Sequence, residues 1–400
     1  MLVRVALLAL LVAATAHGAL YTKGGMVMPS PASEKIPGQH IVVFHANASD
    51  EQVARHMSVH AAMGEVMHEY NMAGGAFRGY AAKFNEDQIM MVAADDAVEF
   101  VEADQTMHMQ QSCERQIEAT WNLARTNQRN LDLNGLYVYH TGIGEGVNVY
   151  VIDTGIYVDN VDFEGRAELG PTFVPGSTSS VDGNGHGTHV ASIAIGKTWG
   201  LAKGATAVGV QVLGADGSGS NSGVIAGIDW CATDFETKKK ANPKLPAWVA
   251  NLSLGGGYSS ATNRAVDALV KAGLAVAVAA GNDNRDACSY SPASASDVLS
   301  VGSTDSRDDR SFFSNYGRCV DILAPGSDIS AAWIGKYATN TISGTSMASP
   351  GMAGIMAKIA STFTSYPGAQ VQDAAISIAT SGKLHDLNGS PDLLGFSDCS

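Results

Sequence analysis

Two hydrophobic rhythms run along the chain, and they divide it. Residues 40–46 (HIVVFHA) read as a strand. Ser49 and Asp50 can cap a helix that carries Val53, Met57, Val59 and Met63. Strands are expected at 65–72 and 76–84, with Gly74-Gly75 between them. Asn85 can cap a second helix through Ala94, and 98–107 (VEFVEADQTM) closes as a strand. The order β-α-β-β-α-β is that of a split βαβ unit, a small ferredoxin-like α+β domain in its own right. From 108 to 118 (HMQQSCERQIE) the pattern is lost, and the stretch reads as a linker or a processing site.

Beyond Ala119 the rhythm changes. GVNVYVID (146–153), TAVGVQVL (206–213), AWVANLSL (247–254), LAVAVAA (274–280) and VLSVGS (298–303) are continuous apolar or β-branched runs. Such runs suit a mostly parallel sheet buried on both faces. Helical stretches at 186–196, 221–235 and 260–272 lie between them. The expected architecture is a three-layer α/β/α fold, with function at the carboxyl ends of the strands.

Composition narrows the class. Hydrophobic residues make up 45% of the 400 and charged ones 16%, a globular balance. The formal charge of −14 argues against a nucleic-acid partner and against attraction to anionic membranes. Residues 1–19 (MLVRVALLALLVAATAHGA) place Arg4 before an apolar core from Val5 to Val12, then Ala14-Thr15-Ala16. That is the pattern of a secretory signal peptide. The competing membrane anchor needs about 20 apolar residues. The next best run, 265–280, is interrupted by Asp267 and Lys271. A secreted, extracellular, soluble protein is expected. Five cysteines allow one or two disulfides in that compartment and leave one sulfur over.

Three segments carry candidate chemistry. Asp153 ends an apolar strand and precedes Thr154-Gly155, where a strand-end turn cap is the plainer alternative. His186 follows a Gly-rich loop in Asp182-Gly-Asn-Gly-His186-Gly-Thr-His189 and suits a general base. With His189 it is also a possible metal pair, though the His-Glu-x-x-His arrangement of zinc proteases is absent. Ser346, in Ser343-Gly-Thr-Ser346-Met-Ala-Ser-Pro350, enters an apolar helix. There its N–H and the helix dipole favour a developing oxyanion, and an ordinary N-cap is the alternative. The order Asp153, His186, Ser346 is the subtilisin order that is the stock example of this triad arrangement.

Residues 119 to about 395 resemble the subtilisin-like serine proteases, and among them the proteinase K branch. The resemblance rests on Val151-Ile-Asp153-Thr-Gly, Gly183-Asn-Gly-His186-Gly-Thr-His189-Val and Asn251-Leu-Ser-Leu-Gly255-Gly-Gly257. Ala279-Ala-Gly281-Asn282, Ser289-Tyr-Ser-Pro292-Ala-Ser and Gly344-Thr-Ser346-Met-Ala complete it. Residues 38–109 resemble that family's inhibitory propeptide.

The resemblance implies a secreted serine endopeptidase that works through an acyl-enzyme, with Ser346 as nucleophile, His186 as base then acid, and Asp153 orienting the imidazole. Asn282 matches the oxyanion-hole residue. Gly217-Ser218-Gly219 and Ser253-Leu254-Gly255 match the two edges along which an extended substrate lies, and Ala279, Ala280 and Gly281 the primary pocket. Walls so small and uncharged imply broad specificity, leaning to apolar or aromatic residues before the cut. Cys288 and Cys319 lie where some extracellular relatives carry a disulfide, and one pair among Cys113, Cys231 and Cys399 remains open. No catalytic cofactor is implied. Structural calcium is, with Asp321 and the backbone oxygens of Ser296 and Val298 as ligands. The implied partners are protein or peptide substrates and the chain's own propeptide, whose last strand leads into the cleft; a monomer with no membrane partner is expected. The sequon Asn251-Leu-Ser253 lies in a strand and is expected to go unused.

Two departures stand against this. Gly351-Met352 replace the family's usual His-Val, and the region before the protease is long, so the maturation cut falls anywhere from Gln105 to Glu118. A catalytically silent binding protein that retains its propeptide, and an esterase using the same triad, are the alternatives.

Overall fold

A computed structural model describes residues 20–21, 26–27, 35–106 and 113–399. The expected signal peptide lies outside the described residues. The chain divides into two compact units, Met1–Gln110 and Gln111–Ser400.

In the N-terminal unit, strands Val98–Gln105, Lys35–Phe44, Phe77–Lys83 and Glu65–Met72 pair antiparallel in that order. Short strands Leu20–Tyr21 and Met26–Val27 extend the sheet beyond Val98–Gln105. Helices Asp50–Val59 and Glu86–Ala93 start where short-range chemistry dictates. Ser49 and Asn85 each close a capping box, with Gln52 and Gln88. The first helix ends before Met63: His60 caps it and 61–63 turn as a 3₁₀ helix that buries Ala61. The core gathers Val42, Phe44, Tyr80, Ala82, Val92, Val98 and Val101.

The C-terminal unit has a nine-stranded sheet. Its spatial order is Ala167–Thr172, Thr206–Gln211, Asn148–Asp153, Val249–Leu252, Ala275–Ala279, Leu299–Thr304, Ile322–Pro325, Leu393–Leu394 and Thr380–Ser381. All neighbours run parallel except the last pair. The strands at 249–252, 275–279 and 299–304 are buried at every residue, which is why they read as unbroken apolar runs. Helices His186–Ile195, Asn221–Ala241, Ser260–Lys271, Thr345–Thr362 and Gly368–Ser377 complete the α/β/α fold.

The sheet's topology locates the site. The chain leaves strand 148–153, builds 167–172 and 206–211 on one side, then crosses to 249–252 on the other. Strand 148–153 therefore flanks the point where the order reverses, and ligands of open α/β sheets bind at the carboxyl ends there.

Residues 113–116, in the stretch read as a linker, form a strand against Tyr137–His140. Its outer residues are polar because it is an exposed two-stranded ribbon, so no apolar run marks it. Cys113 is bonded to Cys399, and Cys288 to Cys319; Cys231 is free and buried.

Candidate active site

Asp153 is fully buried at the end of its strand. Its Oδ1 accepts the N–H of Thr154 (2.7 Å) and lies 2.7 Å from Nδ1 of His186. His186 is the first residue of its helix, after Gly185 in the left-handed region at φ 110°. A Cβ on Gly185 would run into the Trp333 ring, so the turn that delivers the histidine needs glycine. Burial pushes the imidazolium down, but the Asp153 carboxylate, by charge and hydrogen bond, and then Asp182 outweigh it and raise the His186 pKa.

Asp182 organises the approach to this helix. Its Oδ1 accepts from the Thr154 hydroxyl and the N–H groups of Asn184 and Gly185. Its Oδ2 accepts the N–H and hydroxyl of Thr188. The neighbouring His189 is fully buried, with Nε2 between the carbonyls of Ile329 (3.1 Å) and Asn340 (3.2 Å). The two histidines are thus committed to different partners, which speaks against their metal-pair reading.

Ser346 stands in the first turn of helix 345–362. Pro350 has no N–H for the Ser346 carbonyl four residues earlier, so that acceptor would be orphaned. The Ser253 hydroxyl donates to it (2.8 Å). Ser253 Oγ in turn accepts from Asn251 Nδ2 (2.9 Å), and Asn251 Oδ1 accepts from Ser349 (2.7 Å). Asn251 is wholly buried with its amide used, so no glycan fits there. The Ser346 hydroxyl donates to the Ser253 carbonyl at 3.2 Å. Gly351 and Met352 are buried inside this helix; a Cβ on Gly351 would make only ordinary contact with Leu201.

Asn282 is oriented by what its oxygen does. Oδ1 accepts the N–H and hydroxyl of Thr345, both at 2.8 Å, which turns Nδ2 away as a free donor. A Cβ placed on Gly344 would lie 3.4 Å from Asn282 Nδ2 and 3.6 Å from the Ser346 nitrogen. Two donors converge on that space. The loop carrying Asn282 is held from behind by Asn315, fully buried. Asn315 donates to the Ala280 carbonyl (2.9 Å) and accepts the N–H groups of Asp283 and Arg285 (3.0 Å each).

His186, Ser346, Asn282, Gly217–Gly219, Ser253–Gly255 and Ala279–Gly281 all line one cleft of about 650 Å³. Asp153 sits beneath it. Asp182, Asn315 and Thr345 are the residues sequence reasoning missed in this role. Asp182 lay inside a quoted motif, but nothing local marks Asn315.

Residues 144–396 match the subtilase family (Peptidase_S8), and residues 39–110 the peptidase inhibitor I9 family. The chain belongs to the subtilase family of serine endopeptidases. The subtilase is 41% identical to the subtilisin-like serine protease Pen c 2 of Penicillium citrinum, over 98% of this chain and 95% of that protein. It is 40% identical to alkaline protease 2 of Aspergillus fumigatus, over 98% of this chain and 87% of that one. The crystal structure of a cold adapted subtilisin-like serine proteinase shares 43% identity at a TM-score of 0.66, covering 71% of this chain and all of the other. The subtilase thus carries an I9 propeptide ahead of its peptidase domain, and its substrates are peptides and proteins.

Proposed function

We propose that the subtilase is secreted and made as a self-processing zymogen whose triad is Asp153, His186 and Ser346. The observation that carries this is the 2.7 Å bond from His186 Nδ1 to Asp153, in a cleft shared with Ser346 and Asn282. A proton held on Nδ1 leaves Nε2 free to accept one. Ser346 releases its hydrogen bond to Ser253, gives its proton to His186, and bonds to the scissile carbonyl carbon. The Ser346 hydroxyl is turned to the Ser253 carbonyl here, and a nucleophile–base hydrogen bond often tightens only once substrate is in place. The carbonyl oxygen becomes negative between Asn282 Nδ2 and the Ser346 N–H. The C–N bond then breaks as His186 protonates the leaving amine, and water hydrolyses the acyl-enzyme through the same base.

Gly217–Gly219 and Ser253–Gly255 pair with an extended substrate by strand addition. Ala279, Ala280 and Gly281 offer no charge to select lysine or arginine, so specificity is broad and leans apolar. The domains run as 1–19 signal, 38–109 propeptide and 119–395 peptidase. Strand 113–116 and the Cys113–Cys399 bond favour a cut between Gln105 and Ser112. The chain acts as a monomer without catalytic cofactor. No helix among the described residues is long and apolar enough to cross a membrane. A structural calcium would be held by Asp321, which is partly buried and whose Oδ2 accepts the Ser300 N–H at 2.8 Å. Backbone oxygens of Ser296 and Val298 would complete oxygen ligation.

Intact mass and N-terminal sequencing of wild type beside Ser346→Ala, each treated with a serine-directed covalent inhibitor, test the reading. The expected result is a trimmed, labelled wild type with an N-terminus from 106 to 113, beside an untrimmed, unlabelled variant. An untrimmed wild type that takes no label would overturn it in favour of a silent binding protein.

A further inference from the structure

We infer that His56, His60 and Asp95 of the N-terminal unit form a binding site for a divalent metal of the zinc class. His56 and His60 stand four residues apart at the end of helix 50–59, on neighbouring positions of one helix face. Asp95 follows the second helix. Its Oδ1 accepts the N–H of Ala97 (2.9 Å), which orients the carboxylate. Its Oδ2 then lies 3.4 Å from His56 Nδ1 and 3.2 Å from His60 Nε2. The three ligand atoms lie within 4.8 Å of one another.

The spacing suits a metal cage. Donors about 2.0–2.2 Å from a tetrahedral zinc stand roughly 3.3 Å from each other. The two separations seen here match that value. His56 is completely buried, and its Nδ1 has no hydrogen-bond partner. An orphaned nitrogen in a dry core is costly unless something binds it. The other ring nitrogen, Nε2, lies 3.0 Å from the Tyr80 hydroxyl. That is the outer hydrogen bond that sets the tautomer of a metal-bound histidine.

Two imidazoles and one carboxylate are the ligand set of three-ligand zinc sites, with a fourth position for water. His60 and Asp95 keep 20% and 11% of their side-chain surface, which provides an entry path. The other close group of such residues among those described, Cys113, His140 and Cys399, has its sulfurs in a disulfide. A metal at His56, His60 and Asp95 would tie the first helix to the turn after the second. Binding only the folded state, it would stabilise the I9 domain by mass action.

The test uses the full chain with Ser346→Ala, so that both units stay in one polypeptide. It is stripped with chelator and kept in excess calcium, then titrated with Zn²⁺ in a calorimeter and with Co²⁺ in a spectrophotometer. The parent should take up one more equivalent of zinc than its His60→Gln derivative. It should also show visible cobalt bands of a four- or five-coordinate, nitrogen-ligated ion that the derivative lacks. Asp95→Asn, which keeps the size of the side chain, should weaken zinc at least tenfold. Equal stoichiometry and affinity in parent and derivatives would overturn the inference. So would a parent chain without cobalt bands, whatever the variants do.

Discussion

Asn282 shows how one side chain's two ends divide the labour. Its oxygen is consumed by Thr345, and that fixes where its nitrogen points. Asn282→Ala is therefore expected to lower kcat by about a hundred- to a thousandfold and to leave KM nearly unchanged, because the donor matters only once the oxyanion forms. Steady-state kinetics on a peptide amide check this; a change confined to KM would contradict it. His186 gives a second expectation. In the proposed triad catalysis needs the neutral ring, and Asp153 and Asp182 hold its pKa above the ordinary value of about 6.5. Activity should thus be fully present at alkaline pH and lost as pH falls through that raised pKa. The acid limb of kcat/KM should lie above the ordinary imidazole value, and a limb below it would contradict the charge balance described. The motif residues were legible in sequence because their types and order are scarce. Asp182 and Asn315 were not, because a buried polar scaffold is defined by what comes near it in space. Asn315 acts on residues 280–285, some thirty positions away.

At the scale of elements, legibility followed burial. Strands covered on both faces announced themselves as apolar runs, and the helices at 186–195 and 260–271 were read almost to the residue. Edge strand Ala167–Thr172 was missed, since it is paired on one side only and none of it is fully buried. Helix 221–241 runs six residues past its expected end at 235, because Lys238, Lys239 and Lys240 suit a helix C-terminus that apolar periodicity does not register. The Cys288–Cys319 bridge staples the turn at 287–289 to the segment before strand 322–325. It closes 31 residues. The chain-entropy estimate for such a loop is about 4 kcal/mol, and native bridges commonly contribute about 2–4. Replacing both cysteines with serine should lower the peptidase unit's Tm by roughly 5–15 °C. Calorimetry on inhibitor-labelled protein checks it, and an unchanged Tm would show that the fold does not depend on the staple.

At the scale of the whole molecule, the reversal of strand order beside 148–153 accounts for the site's composition. The loops after 206–211 and 249–252 fall on either side of Asp153, and they are the loops that hold Gly217–Gly219 and Ser253–Gly255. The sequence carried this only indirectly, since parallel order is a long-range property. The least legible feature was the strand at 113–116, whose bond from Cys113 to Cys399 spans 286 residues. With the proposed cut ahead of Cys113, the strand at 113–116 stays sewn to the segment that carries Cys399. Fraying ends are where another protease first gains purchase on a folded chain. Among copies of a protease able to digest one another, that bond holds down two segments that could otherwise be the first to peel away.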